Sequence, residues 1–103
     1  MIRVTLHQKG GALTGFECRG HAGYAEAGRD VVCAAVSALT ITCVNALETV
    51  AGVKPLVRAA EGRMLLALPK GAGRDAQVIL LSLRQGLRDL QDQYPRHLRL
   101  IEK

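Results

Sequence analysis

The chain opens on a regular alternation of apolar and polar side chains. Residues 2–8 place isoleucine, valine and leucine on one side and mostly hydrophilic side chains on the other. A period of two predicts a half-buried β-strand. Extended structure resumes over residues 13–19, after a turn-forming stretch at residues 9–12 that contains two adjacent glycines. The two strands are therefore predicted to form a β-hairpin.

Two longer stretches show helical periodicity instead. The first begins after Asp30, whose carboxylate suits the cap of a helix N-terminus, and runs to about Val50. Its apolar stripe has helical spacing and consists of Val32, Val36, Leu39, Cys43, Leu47 and Val50. The second runs from about Asp75 to Tyr94, where Pro95 stops it. Each helix is predicted to bury one face.

The remaining extended segments complete the fold prediction. Residues 56–60 and 64–68 predict a second hairpin, and residues 97–102 predict a short closing strand. The element order is then ββαββαβ. Because local hairpins form antiparallel pairs, we predict an α+β fold of two layers, with a mostly antiparallel sheet packed against two helices. We expect one domain over residues 1–103.

Composition and charge limit the partners and the cellular location that we expect for this protein. The net charge is +5, but the basic residues are scattered along the chain and only three residues are aromatic. We therefore expect nucleic-acid contact to be at most secondary. No apolar run approaches the roughly 20 residues that cross a bilayer, and no signal peptide is visible. We expect no membrane partner and a cytoplasmic location.

The three cysteines need an explanation by packing or by chemistry, since their number is odd and their spacing fits no disulfide framework. Cys33 falls in the first turn of the first predicted helix. The partial positive charge there favours a thiolate, and the free amides, including that of Cys33, could hold an oxyanion. Cys33 also lies one position off the apolar stripe, so we predict that it is a nucleophile. Cys18 and Cys43 are interpreted as core thiols.

His21 is the candidate general base for this thiol. It opens a glycine-rich segment, residues 20–29, and lies twelve residues before Cys33. Because glycine leaves the backbone many conformations, the segment could bring the imidazole over the helix start and exchange a proton with the thiol. We expect this segment to act as a flexible substrate loop, with Gly20, Gly23, Tyr24 and Gly28 as its key members.

Two further side chains are candidate neighbours of the site. Asp30 either caps the helix or orients His21. Ser37 lies one helical turn beyond Cys33 and either reaches the site or bonds to its own helix. A zinc site is an alternative use of these side chains, with His7, Cys18, His21 and Cys33 as the four possible ligands. Their positions lack the closely spaced pairs of ligands that are typical of structural zinc sites.

One long motif resembles a known family. The segment GHAGYAEAGRDVVCAAVSAL, residues 20–39, is similar to the ribosomal-processing cysteine protease Prp (YsxB-like) family. The resemblance implies a catalytic histidine at His21, a nucleophile at Cys33, no metal or cofactor, and a homodimer. It also implies an endopeptidase that removes the N-terminal extension of large-subunit ribosomal protein 27 after an aromatic residue.

A different class of function stays open from the residues alone. The basic chain could be a non-catalytic ribosome- or RNA-binding assembly module, in which Cys33 only packs. Such a module would lose affinity steeply with salt and ignore iodoacetamide, whereas a cysteine protease would lose its activity on alkylation of Cys33.

Overall fold

A computed structural model of the chain describes residues 1–26 and 29–103. It contains five strands and two helices in the order ββαββαβ, which confirms the predicted α+β class and element order. The elements are β1 (Ile2–Lys9), β2 (Ala12–Arg19), α1 (Val31–Thr49), β3 (Leu56–Ala60), β4 (Arg63–Ala67), α2 (Gly73–Gln93) and β5 (Leu98–Glu102).

The strands form one sheet in the order β3-β4-β2-β1-β5. Both predicted hairpins are antiparallel, and β2 also pairs antiparallel with β4, whereas β5 runs parallel to β1. Because directly paired residues share one face of a sheet, the register aligns apolar side chains in rows. One such row crosses Leu6, Phe16 and Leu66, all fully buried.

The two helices cover this apolar face and leave the other face of the sheet uncovered. Inward side chains of both helices join those of the strands in a single core, which is the predicted two-layer arrangement. The helices approach closely at Gly86, where an added Cβ would lie 3.0 Å from two side-chain carbons of Leu39. The side chain of Gln77 ties α2 to β2, since it donates to the Leu13 carbonyl and accepts from the Leu13 amide.

Two expectations need correction. Among the described residues, α1 is by length and composition alone long and apolar enough to span a membrane, since it has 19 residues and only Glu48 is charged. Serine, threonine and asparagine interrupt its sequence, so no unbroken apolar run is visible although the helix carries almost no charge. In addition, α2 starts two residues early, at Gly73, because the Ala72 backbone is already helical and caps the helix without a side chain.

Candidate active site

The first turn of α1 is organised by one carboxylate. Asp30 is the N-cap, as predicted: its Oδ1 accepts from the amides of Val32 at 3.0 Å and Cys33 at 2.9 Å. Its Oδ2 accepts from the amides of Tyr24 and Ala25 in the preceding loop, at 3.1 and 3.4 Å. These bonds, with that from the Cys33 amide the largest, hold the pKa of Asp30 below its ordinary value.

Asp30 therefore joins the loop to the helix rather than orienting a histidine. Both its oxygens are occupied by backbone amides, and the hydrogen bonds of the described residues include none between Asp30 and the His21 ring. The expectation that the Cys33 amide serves an oxyanion is also wrong for this geometry, because that amide already donates to Asp30.

Cys33 lies half-buried at the edge of the core. Its Sγ accepts a hydrogen bond from the amide of Ala22 at 3.4 Å. An amide directed at sulfur stabilises the thiolate more than the neutral thiol, because the charged form is the stronger acceptor. The loop thus supplies the donor that sequence reasoning had assigned to the helix.

His21 follows β2 on an exposed stretch of chain. Gly20 positions it: this residue has φ +89°, and its amide donates to the Gly62 carbonyl at 2.9 Å. Gly62, in the β3–β4 turn, lies against the imidazole, since a Cβ added there would be 3.3 Å from His21 Nε2. The turn between β3 and β4 therefore forms the wall on which the His21 ring rests.

Cys33 and His21 line the same cleft, between the start of α1 and the β3–β4 turn. The cleft has a volume of about 220 Å³ and continues into a wider space of about 610 Å³, which also borders Asp30. Ser37 lines both spaces, so the structure brings both candidate neighbours to the site. Arg63 lines the narrower space, and Glu61 lines the wider one together with Asp30.

The loop before α1 is held by contacts that sequence reasoning missed. The Tyr24 ring packs edge-on against Tyr94 and His97, with centroids 5.5 and 5.2 Å away. Ala22 is buried, and its carbonyl lies 3.1 Å from His97 Nδ1. Because a carbonyl oxygen only accepts, this nitrogen must carry the proton. His97 lies 75 residues away in sequence, and no local motif marks it.

Of the remaining predicted loop residues, the structure describes Gly23 but not Gly28. Gly23 has φ +68° and open space where a Cβ would be, so the loop needs glycine there for its backbone conformation. Gly28 lies outside the described residues. The proposed movement of the loop stays a prediction.

The two remaining thiols, Cys18 and Cys43, both have a raised pKa. Cys43 is buried on the core stripe, as predicted, and burial raises its pKa to about 11. Cys18 is half-buried on the inner face of β2 and lines the cleft, so it is less enclosed than expected. Burial, and then the charge of Cys33, raise its pKa to about 11. Neither thiol is ionised near neutral pH.

The zinc alternative is not supported. His7 and Cys18 occupy opposite faces of the sheet, because Cys18 pairs with the inward Val4 while His7 points outward. Among residues 1–26 and 29–103, no three histidine, cysteine, aspartate or glutamate side chains lie close enough to hold a metal ion.

Comparison with known proteins decides the family. The model of the cysteine protease Prp family matches residues 1–99. The chain belongs to this family. It is 34% identical to the ribosomal processing cysteine protease Prp of Bacillus subtilis (strain 168), covering 97% of this chain and 96% of that protein.

Solved structures agree with this family at the level of the fold. The Prp protease of S. aureus with a covalently linked product peptide matches with a TM-score of 0.96 and 28% identity, over all of both chains. The same S. aureus protease with a substrate peptide matches with a TM-score of 0.89 and 27% identity, again over all of both chains. The protein is therefore a cysteine protease, and the non-catalytic alternative is not supported.

Proposed function

We propose that this Prp-family protease uses Cys33 as its nucleophile and His21 as its general base and acid. One observation supports this assignment above the others: the half-buried Cys33 thiol and the His21 imidazole line one cleft, and a backbone amide is directed at the sulfur. The other two thiols have a raised pKa and are poor nucleophiles at neutral pH.

The reaction follows from these positions. The Cys33 thiolate attacks the scissile carbonyl to form a tetrahedral intermediate, which collapses to a thioester as His21 gives a proton to the departing amine. Water, activated by His21, then hydrolyses the thioester and frees Cys33. Since the Cys33 amide is bonded to Asp30, the donor next to the reacting sulfur is the Ala22 amide, which has to turn from Sγ to the substrate oxygen to stabilise the oxyanion.

The test is cleavage of a peptide that copies the predicted extension by Cys33→Ala and His21→Ala variants. We expect each to lose activity by about a thousandfold or more. Cys43→Ala is the matched control on the same helix and should stay within a few-fold of the parent protein. Undiminished cleavage by either site variant would end the assignment.

For the substrate, we propose the N-terminal extension of large-subunit ribosomal protein 27. The support is the name of the B. subtilis relative, which is a ribosomal processing protease, together with the peptide complexes of the S. aureus protease. The purified ribosomal protein should be shortened at its N-terminus after an aromatic residue, as read by mass spectrometry. Replacing that aromatic residue by aspartate should block the cut, and unchanged cleavage would refute the predicted specificity.

We also propose a homodimer formed through the two helices. Ile41, Val78 and Leu81 are 49, 48 and 41% exposed, beside a mostly apolar groove of about 370 Å³ between α1 and α2. Burial of such a patch by a second copy would be favourable. Ile41→Lys should shift sedimentation toward the monomer. Val50→Lys, at the C-cap of the same helix, should not, because Val50 is 71% exposed rather than part of the buried stripe that the sequence predicted. Equal sedimentation of both variants would argue against this interface.

A cytoplasmic location is the final part of the proposal, since ribosome assembly takes place there. The test is fractionation of cells, with the protein expected in the cleared lysate rather than with membranes. Recovery in the membrane fraction, resistant to high salt, would instead favour insertion of α1.

A further inference from the structure

The uncovered face of the sheet carries a row of four arginines on neighbouring strands. In the register, Arg63 of β4 pairs with Arg19 of β2, Arg19 pairs with Arg3 of β1, and Arg3 pairs with Arg99 of β5. All four are exposed. With strands about 4.8 Å apart, the row is about 14 Å long. We call these four residues the arginine row.

The row lies in an excess of positive charge. Arg58 points outward from the adjacent row of the sheet, where Glu17 is the one acidic member among the described residues. Glu17 bonds Arg63 at 2.8 Å and Arg19 at 2.9 Å. These bonds, with that to Arg63 first, hold the pKa of Glu17 below its ordinary value. The ion pairs of the described residues include none for Arg3 or Arg99.

The arginine row also corrects the sequence interpretation. Its members are separated by up to 44 positions between neighbours in the chain, so they looked scattered. The register of the sheet brings them together, because each lies at the same level on its strand. A charged cluster made by strand pairing leaves no local signature in sequence.

Several features of this face fit one kind of partner. Guanidinium groups bind phosphate oxygens in pairs and are favoured for nucleic-acid contact. The row next to the arginine row includes Leu65 and Ile101, both half-buried. The more exposed large apolar side chains of the described residues lie outside both rows, which disfavours insertion into a membrane. Phe16 points into the core and both tyrosines lie at the loop, so none of these three rings lies on this face. His7 does, but it is four residues along β1 from Arg3 and therefore outside the arginine row.

We propose that the arginine row is a docking surface for the phosphate backbone of RNA and that it binds RNA independently of base sequence. It borders the end of the sheet where the cleft opens, since Arg19 directly precedes Gly20 and Arg63 lines the cleft. RNA held there would place the cleft beside the ribosomal particle that carries the substrate; only this consequence rests on the proposed function.

The experiment measures binding of the full chain to a fluorescently labelled RNA duplex of about 16 base pairs. The test variant is Arg3→Gln with Arg99→Gln. The control is Lys70→Gln with Arg74→Gln, an equal charge change at exposed positions in the loop before α2 and in its first turn. We expect the slope of log affinity against log salt to fall by about 2 in the test variant, one per phosphate contact, and to stay unchanged in the control.

The remaining outcomes are decisive as well. Equal losses in both double variants would show attraction by net charge alone and overturn the proposal. So would binding to vesicles containing phosphatidylglycerol, or to a polyglutamate peptide, with none to RNA. Cleavage of the free extension peptide is measured in parallel, and we expect the test variant to retain it. The binding assay thus tests the arginine row, and the cleavage assay tests the protease assignment independently of it.

Discussion

Helix α1 carries two cysteines ten residues apart, and the fold treats them in opposite ways. Cys43, in the middle of the helix, is 4% exposed and packs in the core. Cys33, in the first turn, is half-buried, lines the cleft and receives the Ala22 amide. Two cysteines on one helix therefore differ in role, one packing in the core and the other a candidate nucleophile, because their surroundings differ.

The difference arises from contacts that the middle of the helix does not have. In the middle turns, the amides and carbonyls bond within the helix, and neighbouring side chains close around the thiol. At the first turn, the helix leaves amides that need outside partners, and Asp30 supplies them while also tying down the loop. The candidate site thus depends on the loop and the β3–β4 turn as much as on α1.

The largest expected effect separates the two thiols directly. A thiol with a pKa of about 11, as burial gives Cys43, is only about 0.1% thiolate at about pH 8. We therefore expect iodoacetamide to alkylate Cys33 at least about a hundredfold faster than Cys43 in the folded protein. Peptide mapping by mass spectrometry after timed exposure measures both rates in one sample.

Unfolding provides the control for this comparison. In denaturant the two thiols should react at similar rates, because the environments that distinguish them are gone. Similar rates in the folded protein would mean that the first turn does not activate Cys33.

The second prediction concerns Asp30, the N-cap of α1, which contacts the first turn but not the middle of the helix. Asp30→Asn keeps an oxygen for the helix cap but turns an NH₂ group toward the amide donors of Tyr24 and Ala25. The loop should loosen, and activity on the extension peptide should fall by about tenfold to a hundredfold. Asp75→Asn, in the first turn of α2, is the matched control and should leave activity unchanged.

The same residue predicts a dependence of stability on pH. Because the folded protein lowers the pKa of Asp30, the carboxylate contributes stability above its ordinary pKa of about 3.9, and this is lost as pH falls through the lowered value. Denaturant midpoints of wild type and Asp30→Asn should therefore differ at neutral pH and converge in acid. A constant difference down to the lowest pH would contradict the charged role.

The fold was predictable because its signals are local. Alternation set the strands, Asp30 marked the start of α1, and the glycine turns marked the hairpins, so most boundaries fall within two residues. For the site, only the residues within the motif at residues 20–39 could be predicted. Ala22 as a donor to sulfur, Gly62 as a wall and His97 as an anchor arise from pairing of distant segments, which no spacing in the sequence reveals.

His97 provides the third prediction, on how the loop is held beside the first turn. Its protonated Nδ1 donates to the buried carbonyl of Ala22, whose amide contacts Cys33. His97→Leu should lower kcat/KM about fivefold to tenfold and destabilise the fold by about 1–3 kcal/mol, because a buried acceptor loses its donor.

A conservative variant distinguishes this hydrogen bond from mere packing. His97→Asn can still donate to the Ala22 carbonyl and should recover most of the activity and the iodoacetamide reactivity of Cys33. His7→Leu, on the outer face of the sheet, is the control for loss of a histidine. If the leucine and asparagine variants behave alike, the hydrogen bond from His97 does not position the loop.

The smallest effect tests whether the wall behind His21 matters. Gly62 and Gly71 share φ +71°, so alanine at either position carries the same backbone strain, about 1–2 kcal/mol. Only at Gly62 would the new Cβ meet His21 Nε2, at 3.3 Å, whereas nothing lies within 4 Å at Gly71. Gly62→Ala should therefore lower kcat/KM about twofold to fivefold beyond Gly71→Ala, measured where both proteins are fully folded. Equal activities would show that the ring of His21 works without this support, and that the first turn of α1 and its loop suffice.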